Sequence, residues 1–587
     1  MCGIFGYIGP KDCKNIIQNG LEQLEYRGYD SAGIAFKSNK NTLNVFKTLG
    51  SASKSNWTIT TKEQFNIGIG HTRWSTHGKP TLANAHPHTS NSGKIAIVMN
   101  GIIENYRELR KELKLLYTFK SNTDTEVLAH LIERENEKLS LCEAVKRACS
   151  LTKGNFAVAV IHSELPYIVC YSKGVSLHIA QTNFNEHYIS SDINTLLPFT
   201  KNIGTLKSNH IAIMSTSNLV VKDLNNKVEN NFIQEIKTKS NLSNSRSLNG
   251  YETYMLKEIN EQSNILKNIL SSPLTKFDTK FENIVIIGCG SSYNAGLTAK
   301  YLFNRLNIPV EVYYASEYKY YSPPIRKNSL FIFLTQSGET ADTIGCAKLI
   351  RSKELSDIKM LAITNGINSS IARLVDKVEY LNAGAEISIA ATKSFTSMLC
   401  VLYKIAFSLS NNKDLEKELN QMPDWYSHFI QYNFIKSLVK SLMTENDIEH
   451  FIFLGKGYNY PVALEGALKL KEISYIPACG YPSGEMKHGP IALLDKSVAV
   501  VVLNNSGRFQ SKTISSLKEA ETRDAHIINI SDTFTDANYN ITIPTFSEEL
   551  TPFINTLVLQ LFSYYVAKEK GENIDKPRNL AKSVTVE

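Results

Sequence analysis

An α+β domain followed by two α/β subdomains, each a parallel sheet flanked by helices, is the fold class this sequence predicts. Three observations lead there. Through roughly the first 230 residues, apolar runs of strand length alternate with helical patterns, the mixture expected of helices covering packed sheets. A Ser- and Asn-rich stretch at 237–250 then breaks the pattern as an exposed linker would. From about residue 281 the chain alternates strand, loop and helix, and that alternation repeats: 284–290 (I-V-I-I-G-C-G) and 451–457 (F-I-F-L-G-K-G) lie 167 positions apart.

Taken in order, 95–99, 156–161 and 167–171 read as strands bounded by Gly, Asn, Ser or Pro, and 125–134 and 141–148 as helices. Beyond the linker a helix starts near Tyr254, with Met255, Ile259, Leu266 and Ile269 on one face. The repeat is supported twice more at the same offset of 167, by 330–334 with 497–501 and by 362–364 with 529–531. The expected divisions are therefore 2–236, a linker at 237–250, subdomains at 251–425 and 426–575, and a tail without periodicity at 576–587.

Composition narrows the class of function. Hydrophobic residues at 42% and charged ones at 20% suit a globular protein rather than a disordered or fibrous one. The net charge of +8 is spread thinly, with no basic stripe for nucleic acid. Nine scattered cysteines form no CxxC pair, the opening Met-Cys-Gly-Ile-Phe-Gly is no signal peptide, and no run of about 18 apolar residues offers a membrane span. A cytoplasmic protein is expected.

Cys2 follows the initiator Met, whose removal would leave thiol and free α-amino group on one residue. With an ordinary pKa of about 7.7–8.0, that amine can act as base for the thiol. Downstream stand H-T-R-W-S-T-H-G (71–78), A-H-P-H (85–88), N-G-I-I-E-N (100–105) and S-N-T-D-T-E (121–126). Together, in this order, they resemble the class II glutamine amidotransferases, N-terminal-nucleophile hydrolases of αββα fold. The resemblance implies Cys2 as nucleophile and the Asn100 amide with the Gly101 N–H as oxyanion donors. It implies Arg73, Thr76, His77 and Asp124 around bound glutamine, and Trp74 as a gate for ammonia. Asp124 reads equally as the N-cap of the helix that follows. The four histidines of 71–88 lack a carboxylate or cysteine to complete a metal-binding spacing, so neither metal nor cofactor is expected.

The repeated half offers an acceptor. T-Q-S-G-E-T (335–340) and G-C-G-S-S-Y-N (288–294) each follow a strand and precede a helix, where hydroxyls, backbone N–H groups and the helix dipole suit a phosphate. Neither is a Walker or dinucleotide fingerprint. Both resemble the sugar-isomerase (SIS) domain, and that domain twice after a glutaminase resembles the isomerising glutamine:fructose-6-phosphate aminotransferase family along essentially the whole chain. Ser291, Ser292, Thr335, Gln336, Ser337 and Thr340 would then hold the sugar phosphate.

In A-L-E-G-A-L-K-L-K-E-I-S-Y-I (463–476), Glu465, Lys469 and Glu472 form one polar stripe on an otherwise apolar helix, read here as lining a cleft rather than as a solvated ion-pair face. By the resemblance Glu472 shuttles a proton, Lys469 steadies the developing enolamine oxygen, and His488, in G-E-M-K-H-G-P (484–490), assists ring opening from across a homodimer. Lys582, in the closing P-R-N-L-A-K-S-V-T-V-E (577–587), would form a Schiff base with the open-chain ketose. Fructose 6-phosphate and glutamine are the implied substrates.

The chain departs from the family's pattern at Ala391 and Thr335, where Ser is usual. One lost hydroxyl contact at Ala391 weakens sugar binding by about 0.5–1.5 kcal/mol. Other acceptor domains, such as phosphoribosyl or ATP-pyrophosphatase types, have no matching motif here. A paralogue aminating another ketose phosphate and a non-catalytic sugar-phosphate sensor remain the alternatives; Cys2, Glu472, His488 and Lys582 together speak against the sensor.

Overall fold

A computed structural model describes residues 2–55, 57, 59, 62–75, 78–236, 247–275, 277, 281–321, 323–410, 412–430 and 434–585. The chain divides into two compact units, Met1–Asn244 with Ala581–Glu587, and Ser245–Leu580.

The first unit is built on two antiparallel sheets. One has eight strands, in the order Gln234–Glu235, Asn202–Thr205, His178–Gln181, His187–Ser190, Gly3–Ile8, Ile67–Arg73, Ser31–Lys37, Leu43–Leu49. The other has six: Leu219–Asp223, His210–Met214, Ile168–Lys173, Phe156–His162, Ile95–Gly101, His88–Thr89. Ile4, Ile8 and Ile69 of the first pack against Ala96, Val98, Ala157 and Ala159 of the second, closing a core between the sheets. Helix Cys13–Leu24 covers the outer face of the larger sheet. It approaches closely because Gly68 and Gly70 carry no side chain: a Cβ on Gly68 would lie 2.7 Å from Ile17, and one on Gly70 2.8 Å from it. Helices Asp124–Asn136 and Leu141–Leu151 cover the smaller sheet through Val127, Leu128, Leu131, Ala144 and Val145. The layering is αββα, as the resemblance implies.

The second unit holds two parallel sheets of five strands. The first runs Val310–Tyr314, Asn283–Gly288, Ser329–Thr335, Lys359–Thr364, Lys377–Tyr380; the second runs Ala478–Pro482, His450–Gly455, Val498–Leu503, His526–Ser531, Tyr539–Thr542. The order is identical, and the strands starting at Asn283 and Lys359 recur 167 residues on at His450 and His526. One apolar core runs through both repeats, joining Ile284, Ile286 and Leu334 to Phe451, Phe453 and Val501 by way of the long helices Lys393–Ser410 and Thr551–Glu569.

The elements expected at 95–99, 125–134, 141–148, 156–161 and 167–171 all form, each within a few residues of its expected bounds. The helix from Tyr254 to Ser271 buries Met255, Ile259, Leu266 and Ile269 together. One detail differs. Asp124 is not the cap of its helix: Thr123 is, its side chain accepting the Glu126 N–H, while Asp124 opens the helix and turns its carboxylate elsewhere. Among the described residues no helix is long and apolar enough to cross a membrane.

Candidate active sites

Cys2 precedes Gly3–Ile8, a central strand of the larger sheet, and the pairing of Gly3 with Thr72 brings it beside the end of strand Ile67–Arg73. The thiol lies between the backbone groups of Trp74, accepting its N–H and donating to its carbonyl, both at 3.5 Å. Burial pushes the Cys2 thiol pKa up. The Trp74 N–H and Arg73 pull the other way, as a nucleophilic thiolate requires, while Asp30 adds to the rise.

Asn100 reaches the same place from the smaller sheet, its Nδ2 donating to the Cys2 carbonyl at 3.0 Å. Gly101 follows with φ +103°, and a Cβ there would lie 2.1 Å from the Asn155 oxygen, so only glycine fits this turn. Arg73 is buried, its Nη2 donating to the Gly78 carbonyl at 3.0 Å, with the Cys2 thiol and the carboxylates of Asp30 and Asp124 nearby. The Asp124 carboxylate accepts the Ile103 N–H at 2.8 Å. Thr76 and His77 lie outside the described residues.

Two residues of this cluster were not singled out in the sequence. Asp30 accepts the Ser75 N–H at 2.7 Å, and Gly28 presses so closely on the chain that a Cβ would lie 2.6 Å from the Arg73 carbonyl carbon. Their one sequence signal is Y-R-G-Y-D-S-A-G (26–33), two glycines and a lone carboxylate around a strand start. Among the described residues no group of three or more His, Cys, Asp or Glu could hold a metal ion. Burial instead lowers the pKa of His71 to about 3 and those of His86 and His88 well below the usual imidazole range.

In the second unit the loops after Asn283–Gly288 and Ser329–Thr335 open side by side, since these strands are paired in parallel with their C-terminal ends together. The chain leaves the first of them toward Val310–Tyr314 and returns on its other side, so this is the switch point where open α/β sheets bind ligands. Thr335 and Thr340 share a hydrogen bond at 2.9 Å, the Gly338 N–H donates to the Thr335 hydroxyl at 3.2 Å, and the Glu339 N–H to that of Ser337 at 3.1 Å. Gln336 is fixed through its carbonyl, which accepts the Asn365 N–H at 3.0 Å. Helix Ala341–Arg351 begins immediately after, with no side chain capping its first N–H groups. Ser291 and Ser292 occupy the first turn of helix Gly290–Arg305 and are half-buried.

The stripe on helix Asn459–Ser474 meets these residues. Glu465 accepts from the Ser291 hydroxyl at 2.8 Å and from Asn294 Nδ2 at 2.9 Å; Lys469 donates to Ser291 at 3.1 Å and pairs with Glu472 at 2.6 Å and with Glu465 at 3.4 Å. Glu465 and Lys469 are buried and Glu472 is half-buried, so the stripe opens outward only at its last residue. Burial works against the Lys469 charge, but Glu472 and Glu465 outweigh it and raise its pKa, so it stays an ammonium. His488 is exposed on the short turn Ser483–His488 and takes no part in this described network. Lys582 is half-buried in the segment grouped with the first unit.

Known proteins fit this geometry. The glutamine amidotransferase domain family matches residues 71–198, and the SIS domain family matches 279–408 and 446–569. The chain is 40% identical to the glutamine–fructose-6-phosphate aminotransferase [isomerizing] of Bacteroides thetaiotaomicron and 40% identical to that of Francisella tularensis subsp. tularensis, each alignment covering 100% of both chains. Among solved structures, the C-terminal domain of glucosamine-fructose-6-phosphate aminotransferase from Francisella tularensis is 35% identical, covers 56% of this chain and 100% of its own, and superposes with a TM-score of 0.52.

Proposed function

The chain belongs to the isomerizing glutamine–fructose-6-phosphate aminotransferases, and from that premise we infer how its residues divide the work. The enzyme uses glutamine to make glucosamine 6-phosphate from fructose 6-phosphate. The observation that carries this reading is the presence, on one chain aligned end to end with that family, of a thiol-first αββα unit and a paired SIS unit.

With Met1 removed, the Cys2 amine takes the thiol proton and the thiolate adds to the glutamine amide carbon. Asn100 Nδ2 and the Gly101 N–H stabilise the oxyanion, ammonia leaves, and water hydrolyses the remaining thioester to glutamate. Arg73 holds the substrate carboxylate through its planar fork and Asp124 its ammonium. Thr76 and His77 line the same pocket, and Trp74 gates the ammonia, which passes to the sugar without meeting bulk water.

The sugar phosphate rests on Ser291, Ser292, Thr335, Gln336, Ser337 and Thr340, before the uncapped start of helix Ala341–Arg351. His488, from the neighbouring subunit of a homodimer, opens the sugar ring, and Lys582 captures the open ketose as a Schiff base that ammonia displaces. Glu472 then moves a proton from C1 to C2 of the resulting imine. Lys469, held charged between two carboxylates, steadies the oxygen on which negative charge grows. The reaction belongs to the cytoplasm, where the nine cysteines stay reduced.

The deciding experiment follows heavy nitrogen from the glutamine amide by mass spectrometry, in the parent enzyme and in Cys2→Ala. Labelled glucosamine 6-phosphate from the parent alone is the expected result. Glutamate without amino sugar would refute fructose 6-phosphate as acceptor and direct attention to Ala391.

A further inference from the structure

Three buried imidazoles beside the nucleophile have no task in the chemistry above. His71, on strand Ile67–Arg73, places Nε2 2.9 Å from the Met99 carbonyl and 3.2 Å from Asn100 Oδ1. A carbonyl oxygen can only accept, so Nε2 must carry the proton, and the amide atom facing it must be oxygen. The other end of the amide agrees, because Asn100 Nδ2 faces the Cys2 carbonyl, a second pure acceptor. The His71 N–H and the Cys2 carbonyl together fix which way round the Asn100 amide sits.

The imidazoles stand here for a backbone reason. Strand His88–Thr89 pairs with strand Ile95–Gly101 only at Ile97 and Ala96, so beyond Ile97 that edge has no strand neighbour on this side. The buried Met99 N–H and carbonyl still need partners. His86 Nδ1 accepts the N–H at 3.4 Å and His71 donates to the carbonyl. The two rings stack with centroids 4.0 Å apart and planes 12° from parallel, and His88 meets His86 edge-on at 4.8 Å. His88 Nε2 lies 3.0 Å from the hydroxyl of Thr123, the cap of the helix that begins with Asp124. The stack therefore ties the Asn100 amide to the helix that presents Asp124.

We propose that His71 is a positioning residue for ammonia release: its Nε2–H holds the Asn100 amide oxygen so that Nδ2 stays turned toward the reacting carbon. This rests on the reading of Asn100 as an oxyanion donor. Without that N–H only the Cys2 carbonyl opposes a half-turn of the amide, which would set its oxygen against the oxyanion. Because burial keeps His71 neutral down to about pH 3, the same tautomer serves throughout the working range.

The test is steady-state glutamine hydrolysis by the full-length enzyme as His71→Leu, His71→Gln, Asn100→Ala and the His71→Leu/Asn100→Ala double variant, with melting curves for each. Losing one oxyanion donor lowers kcat about 100- to 1000-fold, so an Asn100 left free to turn should lower it about 10- to 100-fold in His71→Leu, with KM within about twofold. His71→Gln, which can place an N–H near the position of Nε2, should recover most of that loss. In the Asn100→Ala background His71→Leu should add nothing. Unchanged kcat in His71→Leu, equal losses in the Leu and Gln variants, or multiplying losses in the double variant would each overturn the proposal. A parent enzyme that makes no glutamate would instead overturn the glutaminase reading beneath it.

Discussion

In the first repeat the loop after strand Ser329–Thr335 carries Thr335, Ser337 and Thr340 around Gly338, whose φ is +72°. In the second repeat the loop after Val498–Leu503 carries Asn504, Asn505, Ser506, Arg508 and Phe509 around Gly507, whose φ is +140°. Both loops turn on a glycine with positive φ, yet their mouths differ. The hydroxyls of the first bond within their own loop, Thr335 to Thr340 at 2.9 Å. In the second, Phe509 lies so close to Gly457 that a Cβ there would meet its ring at 2.3 Å, Arg508 is drawn to Glu548 at 2.8 Å, and Asn505 is tied to Asn459 and Asn555 at 2.9 and 2.7 Å.

The helices after the first strands diverge in the opposite sense. At the offset of 167, Glu465 stands where the first repeat has Thr298, and Lys469 where it has the buried Leu302. Thr298 satisfies its own hydroxyl on the Asn294 carbonyl, whereas Glu465 and Lys469 reach across to Ser291 and Asn294 of the other repeat. Duplication thus supplied two scaffolds, and charged groups of the second reach to the start of helix Gly290–Arg305 in the first.

That division predicts unequal effects from equivalent changes. The largest belongs to Glu472→Gln, which should lower amino-sugar formation about 100- to 10,000-fold while glutamate is still released. Measuring both products separates the two chemistries, and undiminished amino sugar would return the proton shuttle to the first repeat. Next comes Glu465→Leu. It leaves buried Lys469 with one carboxylate fewer and takes the acceptor from Ser291 and Asn294, so a denaturant titration should show a loss of about 3–5 kcal/mol. A loss below about 1 kcal/mol would mean that the stripe does not brace the two repeats.

Smaller effects test the loops themselves. Ser337→Ala should raise the KM for fructose 6-phosphate by about tenfold, a hydrogen bond to a charged group contributing about 1.5 kcal/mol. Ser506→Ala, at a residue that like Ser337 stands just before its loop's positive-φ glycine, should leave that KM unchanged, and a rise equal to that of Ser337→Ala would erase the distinction between the loops. Phe509→Ala removes half-buried ring contacts and should lower stability by about 1–2 kcal/mol. Calorimetry should still find one sugar phosphate per chain, since the asparagines remain; two would show that Phe509 alone closes the second mouth.

What could be read in the sequence was what lies within one short segment. Cys2, the 71–78 and 100–105 motifs and the 335–340 loop each announce themselves by residue types a few positions apart, and the repeat by an offset that the structure keeps at 167 for the strands starting at Asn283 and Lys359 but moves to 169 for the one starting at Ser329. The stripe of Glu465, Lys469 and Glu472 was visible as a stripe and read as lining a cleft. Its first two members prove to be a buried brace, because their partners Ser291 and Asn294 lie more than 170 residues away. Asp30 and Gly28 escaped notice for the same reason, as their partners Ser75 and Arg73 meet them only across the sheet. The capping of the helix from Asp124 to Asn136 fell to Thr123 rather than Asp124, whose carboxylate the Ile103 N–H claims instead.

By itself, then, the sequence determined the kind of protein: local periodicity fixes strands and helices, and contiguous motifs fix the chemistry on offer, because both depend on neighbours along the chain. Tertiary structure alone decided which partners the side chains of two similar loops find, which charges are buried against each other, and that His71 faces the Asn100 amide. Those outcomes turn on which distant backbone groups and side chains are brought within hydrogen-bonding distance, and a buried polar group takes whatever partner the packing delivers.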